Sequence, residues 1–305
     1  MKQKILFISL AVSSIAFILL AAFASTSHSE QSAHTSDSLV LSANMYIPEE
    51  ISIFGENVPL DYFDVVESLE RELLVNVYYQ SQTIQFLKYC HRYFPTIDSV
   101  LAANNIHGDF KYLALAESGL RIVISPKGAA GFWQFLENTG KQYGLTVNEY
   151  VDQRYDLIKS TEAACKYLHN AHKTFKSWTM VAASYNIGVS ELKTQANFQD
   201  IESYYDLYTN SETARYVFRI IALKLIMENP ELYGYHNVEP FPTIPTKTVT
   251  VDTTISNLAE FARSQGSNYK MLKTLNPWLR HKSLPNPHKT TYHITLIDDT
   301  HRKLR

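Results

Sequence analysis

Residues 107–135 read HGDFKYLALAESGLRIVISPKGAAGFWQF, an apolar helical pattern that carries one acidic side chain into a tightly built loop. Gly108 breaks the chain and Asp109 is a favourable cap. A helix starting there puts Phe110, Leu113, Ala114 and Glu117 at i, i+3, i+4 and i+7, on one face. Glu117 thus falls on the apolar stripe. Desolvation disfavours the charged form of a carboxyl, so a glutamate in that place holds its proton closer to neutral pH and can donate it. A glutamate at the helix end whose carboxylate reaches water past the last turn fits the same periodicity. The loop adds weight to the first reading. Gly128, Ala129, Ala130 and Gly131 let backbone approach a ligand, Phe132, Trp133 and Phe135 supply flat apolar surface, and Gln134 offers a donor and an acceptor. Rings and amides suit sugars, which carry C–H faces and N-acetyl groups. A glycine-rich turn packed under two core helices is the plainer alternative.

The rest of the chain frames this element. It has 305 residues with 45% hydrophobic content, enough for one large domain and a small one. The net charge is -2, and losing Lys2 and Lys4 would make it -4, so no basic field for nucleic acid exists. The first residues join two lysines to an apolar run and then to Ala22, Phe23 and Ala24, a small-x-small cleavage pattern, so residues 1–24 are expected to be a signal peptide. The run is nearly long enough to span a bilayer, and membrane anchoring follows only if it is not cleaved. Residues 25–45 are a polar linker. The protein is expected in the periplasm or outer cell envelope, as a monomer.

From Leu60 to about Pro230 apolar residues recur at three and four, as in Leu60, Phe63, Val66, Leu69 and Leu73, so the domain expected at residues 46–235 is mainly α. Pro95 is expected to end one helix, and Gly188 to end another after Trp178, Val181, Ala182 and Tyr185. No long alternating strand precedes residue 240. Residues 236–246 are Pro-rich and read as a stiff linker. In residues 247–298 a strand at Lys247 to Val251, two short helices and a strand through Tyr292, Ile294 and Leu296 give a small βααβ unit.

Other constellations carry less. Cys90 and Cys165 invite a disulfide in an oxidising compartment, or are two small buried hydrophobes. Cys165, His169 and His172 share a helix face at i, i+4 and i+7, but no fourth ligand suggests itself, so no metal and no cofactor are expected. The sequence lacks H-E-x-x-H, G-x-S-x-G and a phosphate loop, which leaves protease, esterase and nucleotide-driven readings without support.

Three ordered motifs carry a resemblance: Glu117-Ser118-Gly119-Leu120, then Ser125 through Phe135 (SPKGAAGFWQF), then Ala183-Ser184-Tyr185-Asn186-Ile187-Gly188. They resemble the lytic transglycosylase domain of murein transglycosylases, and Glu212 through Val217 (ETARYV) looks like that domain's tyrosine-bearing helix start. The helices from about residue 60 and the text VDQRYDLIKSTEAACKYL resemble the membrane-bound lytic transglycosylase D subgroup. The resemblance implies a lysozyme-like helical fold with Glu117 as the single catalytic acid. It also implies substrate contacts from Ser125, Gln134, Tyr185, Asn186 and Tyr216, with peptidoglycan glycan strands as the partner. Ser184 stands where the family usually has alanine. Residues 247–298 resemble a divergent LysM module, with Asp252-Thr253-Thr254-Ile255 in place of the usual GDTL, and either bind sugar or serve as a packing domain.

A hydrolytic glycosidase needs a second carboxylate, and neither Glu137, Asp152, Asp156 nor Glu162 sits in a recognisable partner position. The chemistry implied by the family removes that need: one glutamate acts as acid and then as base, and the muramic acid's own 6-hydroxyl closes a 1,6-anhydro ring. A hydrolytic muramidase and a non-catalytic wall-binding scaffold are the competing readings. A scaffold has no use for a desolvated acid.

Overall fold

A computed structural model describes residues 45–297 and Arg302. The expected signal peptide and nearly all of the polar linker lie outside the described residues. Among those residues no helix is long and apolar enough to cross a membrane.

The fold is mainly α, as the periodicity predicts. Helix α1 (Phe63–Tyr78) buries Val65, Leu69, Leu73 and Val77, and α2 (Gln80–Ala103) follows after the single residue Tyr79. Pro95 does not end α2; the helix runs through it to Ala103. Proline removes one N–H, here the donor to the His91 carbonyl. His91 and Pro95 both lie on the exposed side, where water can take the orphaned carbonyl, while Ile97 and Leu101 are fully buried beyond it.

A two-residue hairpin precedes α1, with β1 (Ser52–Ile53) antiparallel to β2 (Glu56–Asn57). Strands of two residues leave no alternation to read. Phe54 and Gly55 both take positive φ (56° and 81°), the primed turn that suits a two-residue loop. The strain at Phe54 is offset by stacking on Phe110 at 4.1 Å and by its N–H donating to Asp109 Oδ2 at 2.9 Å. Asp109 is therefore not a side-chain cap of α3 (Phe110–Ser118): its carboxylate serves Phe54 and pairs with Lys224 at 2.9 Å.

Beyond the loop come α4 (Glu137–Gln142), α5 (Leu157–Phe175), α6 (Trp178–Ile187), α7 (Val189–Gln199) and α8 (Ser211–Glu228). Gly188 ends α6 with φ 94°, as expected. Helix α8 buries Tyr216, Val217, Ile220, Ile221, Ala222 and Ile226 at or near zero exposure. It packs against α1, α3 and α6. Asn210 caps it by accepting from the N–H groups of Glu212 and Thr213.

Residues 236–246 do not stand free. Phe241 lies between Lys88 and Arg92, beside Tyr89, and its N–H donates to the Lys88 carbonyl, so the proline-rich segment is laid along α2. The last unit pairs β3 (Lys247–Val251) antiparallel with β4 (Tyr292–Leu296) around α9 (Leu258–Ser264) and α10 (Tyr269–Leu275). Its core of Leu258, Ala262, Leu272, Leu284, Ile294 and Leu296 continues into the helical body through Leu279, Trp278, Val151, Tyr155 and Ala130. Backbone bonds cross the joint: Asp152 N–H to the Trp278 carbonyl at 2.9 Å and Arg280 N–H to the Tyr150 carbonyl at 2.8 Å. The Arg280 guanidinium lies 4.4 Å over the Tyr155 ring.

Cys90 and Cys165 are buried free thiols. Burial pushes both upward, that of Cys165 to about 12, so neither is a ready nucleophile. His169 bonds the Asn104 carbonyl and His172 stacks on Trp178 at 3.9 Å, so the Cys165, His169 and His172 stripe is used in packing.

Candidate active site

A cleft of about 610 Å³ opens where α3, the 123–136 loop, α6 and the start of α8 meet. Its lining brings together Glu117, Ser125, Gln134, Tyr185 and Asn186, five of the six residues singled out in the sequence. The sixth, Tyr216, lies behind the wall with its hydroxyl on Glu117.

Glu117 occupies the last turn of α3, after the fully buried Phe110, Leu113 and Ala114. Desolvation raises its pKa to about 7, against the pull of the Tyr216 hydroxyl and the Arg219 guanidinium; the Glu212 carboxylate adds to the rise. Tyr216 donates to Oε1. A proton on the carboxyl then sits on Oε2, the oxygen left for the cleft. Burial and the neighbouring Glu117 hold the Tyr216 hydroxyl well above its ordinary range, which keeps it a donor.

The loop is built to stay put. Ser125 Oγ accepts from the Ala129 N–H, and the Ser125 N–H donates to the Ala129 carbonyl, closing a tight turn at the cleft edge. Gln134 takes a left-handed φ of 49° and donates through Nε2 to the carbonyls of Val123 and Gly131, leaving its side-chain oxygen as acceptor. Ser118 Oγ ties α3 to the Phe132 carbonyl at 2.8 Å. Beneath, Arg154 donates to the carbonyls of Gly128 and Phe135, and the buried Asp152 grips Arg154 at 2.7 Å. The same Asp152 receives the joint to the C-terminal unit.

Tyr185 and Asn186 close the opposite wall. The Tyr185 hydroxyl donates to the Trp133 carbonyl at 2.8 Å, and its ring meets Trp133, Phe135 and Tyr167. Asn186 Oδ1 accepts from Thr213 Oγ1 at 2.8 Å, fixing its amide against the α8 cap. The helix that bears both is held at its start by Glu56 of the N-terminal hairpin, which accepts from the N–H groups of Trp178 and Thr179.

Sequence reasoning missed Lys127, Leu136, Ile187, Asn210 and Glu212, which also line the cleft. Glu212 matters most, because it is a second acid beside Glu117. Its place in the ETARYV motif was visible, but its position at the cleft rim depends on Asn210 capping α8.

With this geometry in place, residues 102–207 match the family described as Transglycosylase SLT domain, and residues 247–299 match the Soluble lytic transglycosylase C-terminal LysM-like domain. Membrane-bound lytic murein transglycosylase D of Escherichia coli strain K12 is 29% identical over 168 residues, which are 52% of this chain and 36% of that protein. A putative tributyltin chloride resistance protein of Alteromonas sp. strain M-1 is 29% identical over 102 residues, 30% of this chain and 49% of that one. Among solved structures, an inactive mutant of the lytic transglycosylase Slt from Pseudomonas aeruginosa matches at a TM-score of 0.36 and 16% identity, over 47% of this chain and 25% of that one. The chain spans about a third to a half of the length of the curated relatives it matches.

Proposed function

We propose that this chain, which carries an SLT transglycosylase domain and a C-terminal LysM-like domain and is homologous to membrane-bound lytic murein transglycosylase D, is itself a peptidoglycan lytic transglycosylase. One observation carries the reading: a single desolvated carboxyl on the cleft wall, protonated near neutral pH, with one oxygen engaged by Tyr216 and the other left for substrate.

Glu117 Oε2 gives its proton to the oxygen linking N-acetylmuramic acid to N-acetylglucosamine. The bond from that oxygen to the muramic acid C1 breaks, and its electron pair leaves with the N-acetylglucosamine hydroxyl. The neighbouring acetamido group holds the cationic carbon, as in substrate-assisted glycosidases. The muramic acid 6-hydroxyl then bonds to C1, and its proton returns to the Glu117 carboxylate, closing the 1,6-anhydro ring. No water is consumed, and the nucleophile's effective concentration is high because it belongs to the same sugar. Tyr216 supports both states by donating to whichever charge Oε1 carries. The amides of Gln134 and Asn186 and the exposed side chain of Leu136 suit a glycan strand in the cleft, whereas Phe132, Trp133 and Phe135, expected from the sequence to offer it flat surface, are buried beneath the loop and hold it in place instead.

Hydrolysis is the second reading, and Glu212 is what favours it, as a base for water. Its side chain is 65% exposed and turned toward Arg219 at 4.0 Å, which leaves it a solvated carboxylate and not a buried partner of the reacting carbon. Digestion of purified peptidoglycan decides between them. Mass spectrometry is expected to find anhydromuramic ends, abolished in Glu117→Gln and retained in Glu212→Gln. Reducing ends lost in Glu212→Gln would establish a muramidase, and no soluble fragments from the wild type would leave a binding scaffold.

A further inference from the structure

Behind the cleft wall lies a second glutamate that the reaction does not touch. Glu72, on α1, has 0% exposure and sits against α8, the helix that carries Tyr216. Its Oε1 accepts from Arg215 Nε at 2.6 Å, with Arg71 3.7 Å away. Its Oε2 makes no hydrogen bond among the described residues, and Arg219 Nε stands 3.7 Å from it. A buried carboxylate oxygen without a hydrogen bond is costly, and stability alone would favour an apolar residue there.

The placement has a use in the charge balance of the site. Arg215, Tyr216 and Arg219 occupy one turn of α8, so the guanidinium that faces Glu72 is one turn from the hydroxyl that holds Glu117. The groups around Glu117 are Tyr216, Arg219 and Glu212 from α8, Tyr185 from α6, and Lys127 across the cleft. Those around Glu72 are Arg71 on its own helix, Arg215 and Arg219 from α8, and Tyr204. Arg219 is common to both sets, and its positive charge favours the ionised form of Glu117.

We propose that Glu72 is a positioning residue for Glu117: it anchors Arg219 from within the core, so that the guanidinium charge is shared with a buried carboxylate and Glu117 remains an acid at the pH where it must donate. This deepens the reading of Glu117 as the proton donor and rests on it. Glu72 sets the upper pH limit of the enzyme without meeting substrate.

The test reads Glu117 directly. Carbon-13 NMR of the side-chain carboxyls of the full chain, without substrate, assigns Glu117 as the signal missing in Glu117→Gln and follows it with pH. Glu72→Gln keeps the shape and the bond to Arg215, and is expected to lower the Glu117 midpoint by roughly one pH unit. Arg219→Gln is expected to raise it, and the double variant to match Arg219→Gln alone. The basic limb of the activity profile should move with each midpoint. A folded Glu72→Gln whose Glu117 midpoint is unchanged overturns the proposal, because a purely structural role would alter melting and leave that midpoint alone. If Glu72→Gln does not fold, an unchanged midpoint in Arg219→Gln overturns it equally. Failure of the transglycosylase reading would instead show in the digestion products, which this titration does not use.

Discussion

Gly131 passes so close over Arg154 that a β-carbon added to it would stand 1.8 Å from the Arg154 carbonyl oxygen. Its φ is +78°, which only glycine adopts freely. The contact seats the loop bearing Gln134 on the segment that Asp152 and Arg154 hold rigid. Gly131→Ala must therefore displace backbone against backbone, at a cost above about 3 kcal/mol. Gly128 has nearly the same φ, +80°, but open space where a β-carbon would go, so Gly128→Ala meets only the left-handed penalty of about 1 kcal/mol. Denaturant midpoints of the two variants measure the difference, and equal losses would contradict the close approach.

The bond between Tyr216 and Glu117 has a definite sign. A hydroxyl that donates to a carboxylate stabilises the charged form, so it holds the Glu117 pKa down against desolvation. Tyr216→Phe is expected to raise the Glu117 midpoint above about 7 and to extend the basic limb of activity upward, while lowering kcat/KM through lost orientation of the carboxyl. A midpoint that falls in the phenylalanine variant would show that Tyr216 accepts and does not donate.

How much of this could be read in the sequence depends on the range of the interactions involved. The period of three and four along α1, α5 and α6, the cap glycine at 188 and the βααβ order after residue 247 are local patterns, and they appear where the residues place them. So is the stripe that sets Glu117 behind Phe110, Leu113 and Ala114. Pro95 misled because its effect depends on which way the orphaned His91 carbonyl faces, a property of the packed helix. The role of Asp109 was missed because Phe54, 55 residues earlier, takes its carboxylate. Glu212 and Glu72 act through α8, whose register against α1 and α3 no local pattern specifies. The linker at 236–246 reads as stiff from its prolines, but its docking on α2 depends on Phe241 meeting Lys88 and Arg92.

Linkage gives Glu117 a thermodynamic signature that needs no substrate. In the unfolded chain it titrates near 4.5, in the folded chain at about 7, so the folded state holds the extra proton between those values. Stability must then fall as pH rises through that window and level off above it, by about 3 kcal/mol. Glu117→Gln lacks the titration, so its advantage over the wild type should grow from pH 4 to pH 8 in urea unfolding. A difference independent of pH would mean that Glu117 titrates like a free glutamate.

The C-terminal unit is tied to the cleft by a continuous apolar core, which bears on what its removal would do. Leu279 is 0% exposed and pairs with Val151, one residue from Asp152, which grips the arginine under the 123–136 loop. Leu279→Ala opens a cavity at that joint, at a cost of about 2–5 kcal/mol. If the LysM-like unit were an independent wall anchor, the loss would fall on its own transition and leave the helical domain unaffected. The shared core instead predicts one cooperative transition, displaced as a whole, with near-ultraviolet circular dichroism and far-ultraviolet helix signals moving together. It also predicts faster amide exchange in the loop around Gln134 and reduced cleavage of short soluble glycans that do not reach the C-terminal unit. Two separable transitions, with the helical one at its wild-type midpoint, would show that the unit is an appendage and that the cleft stands without it.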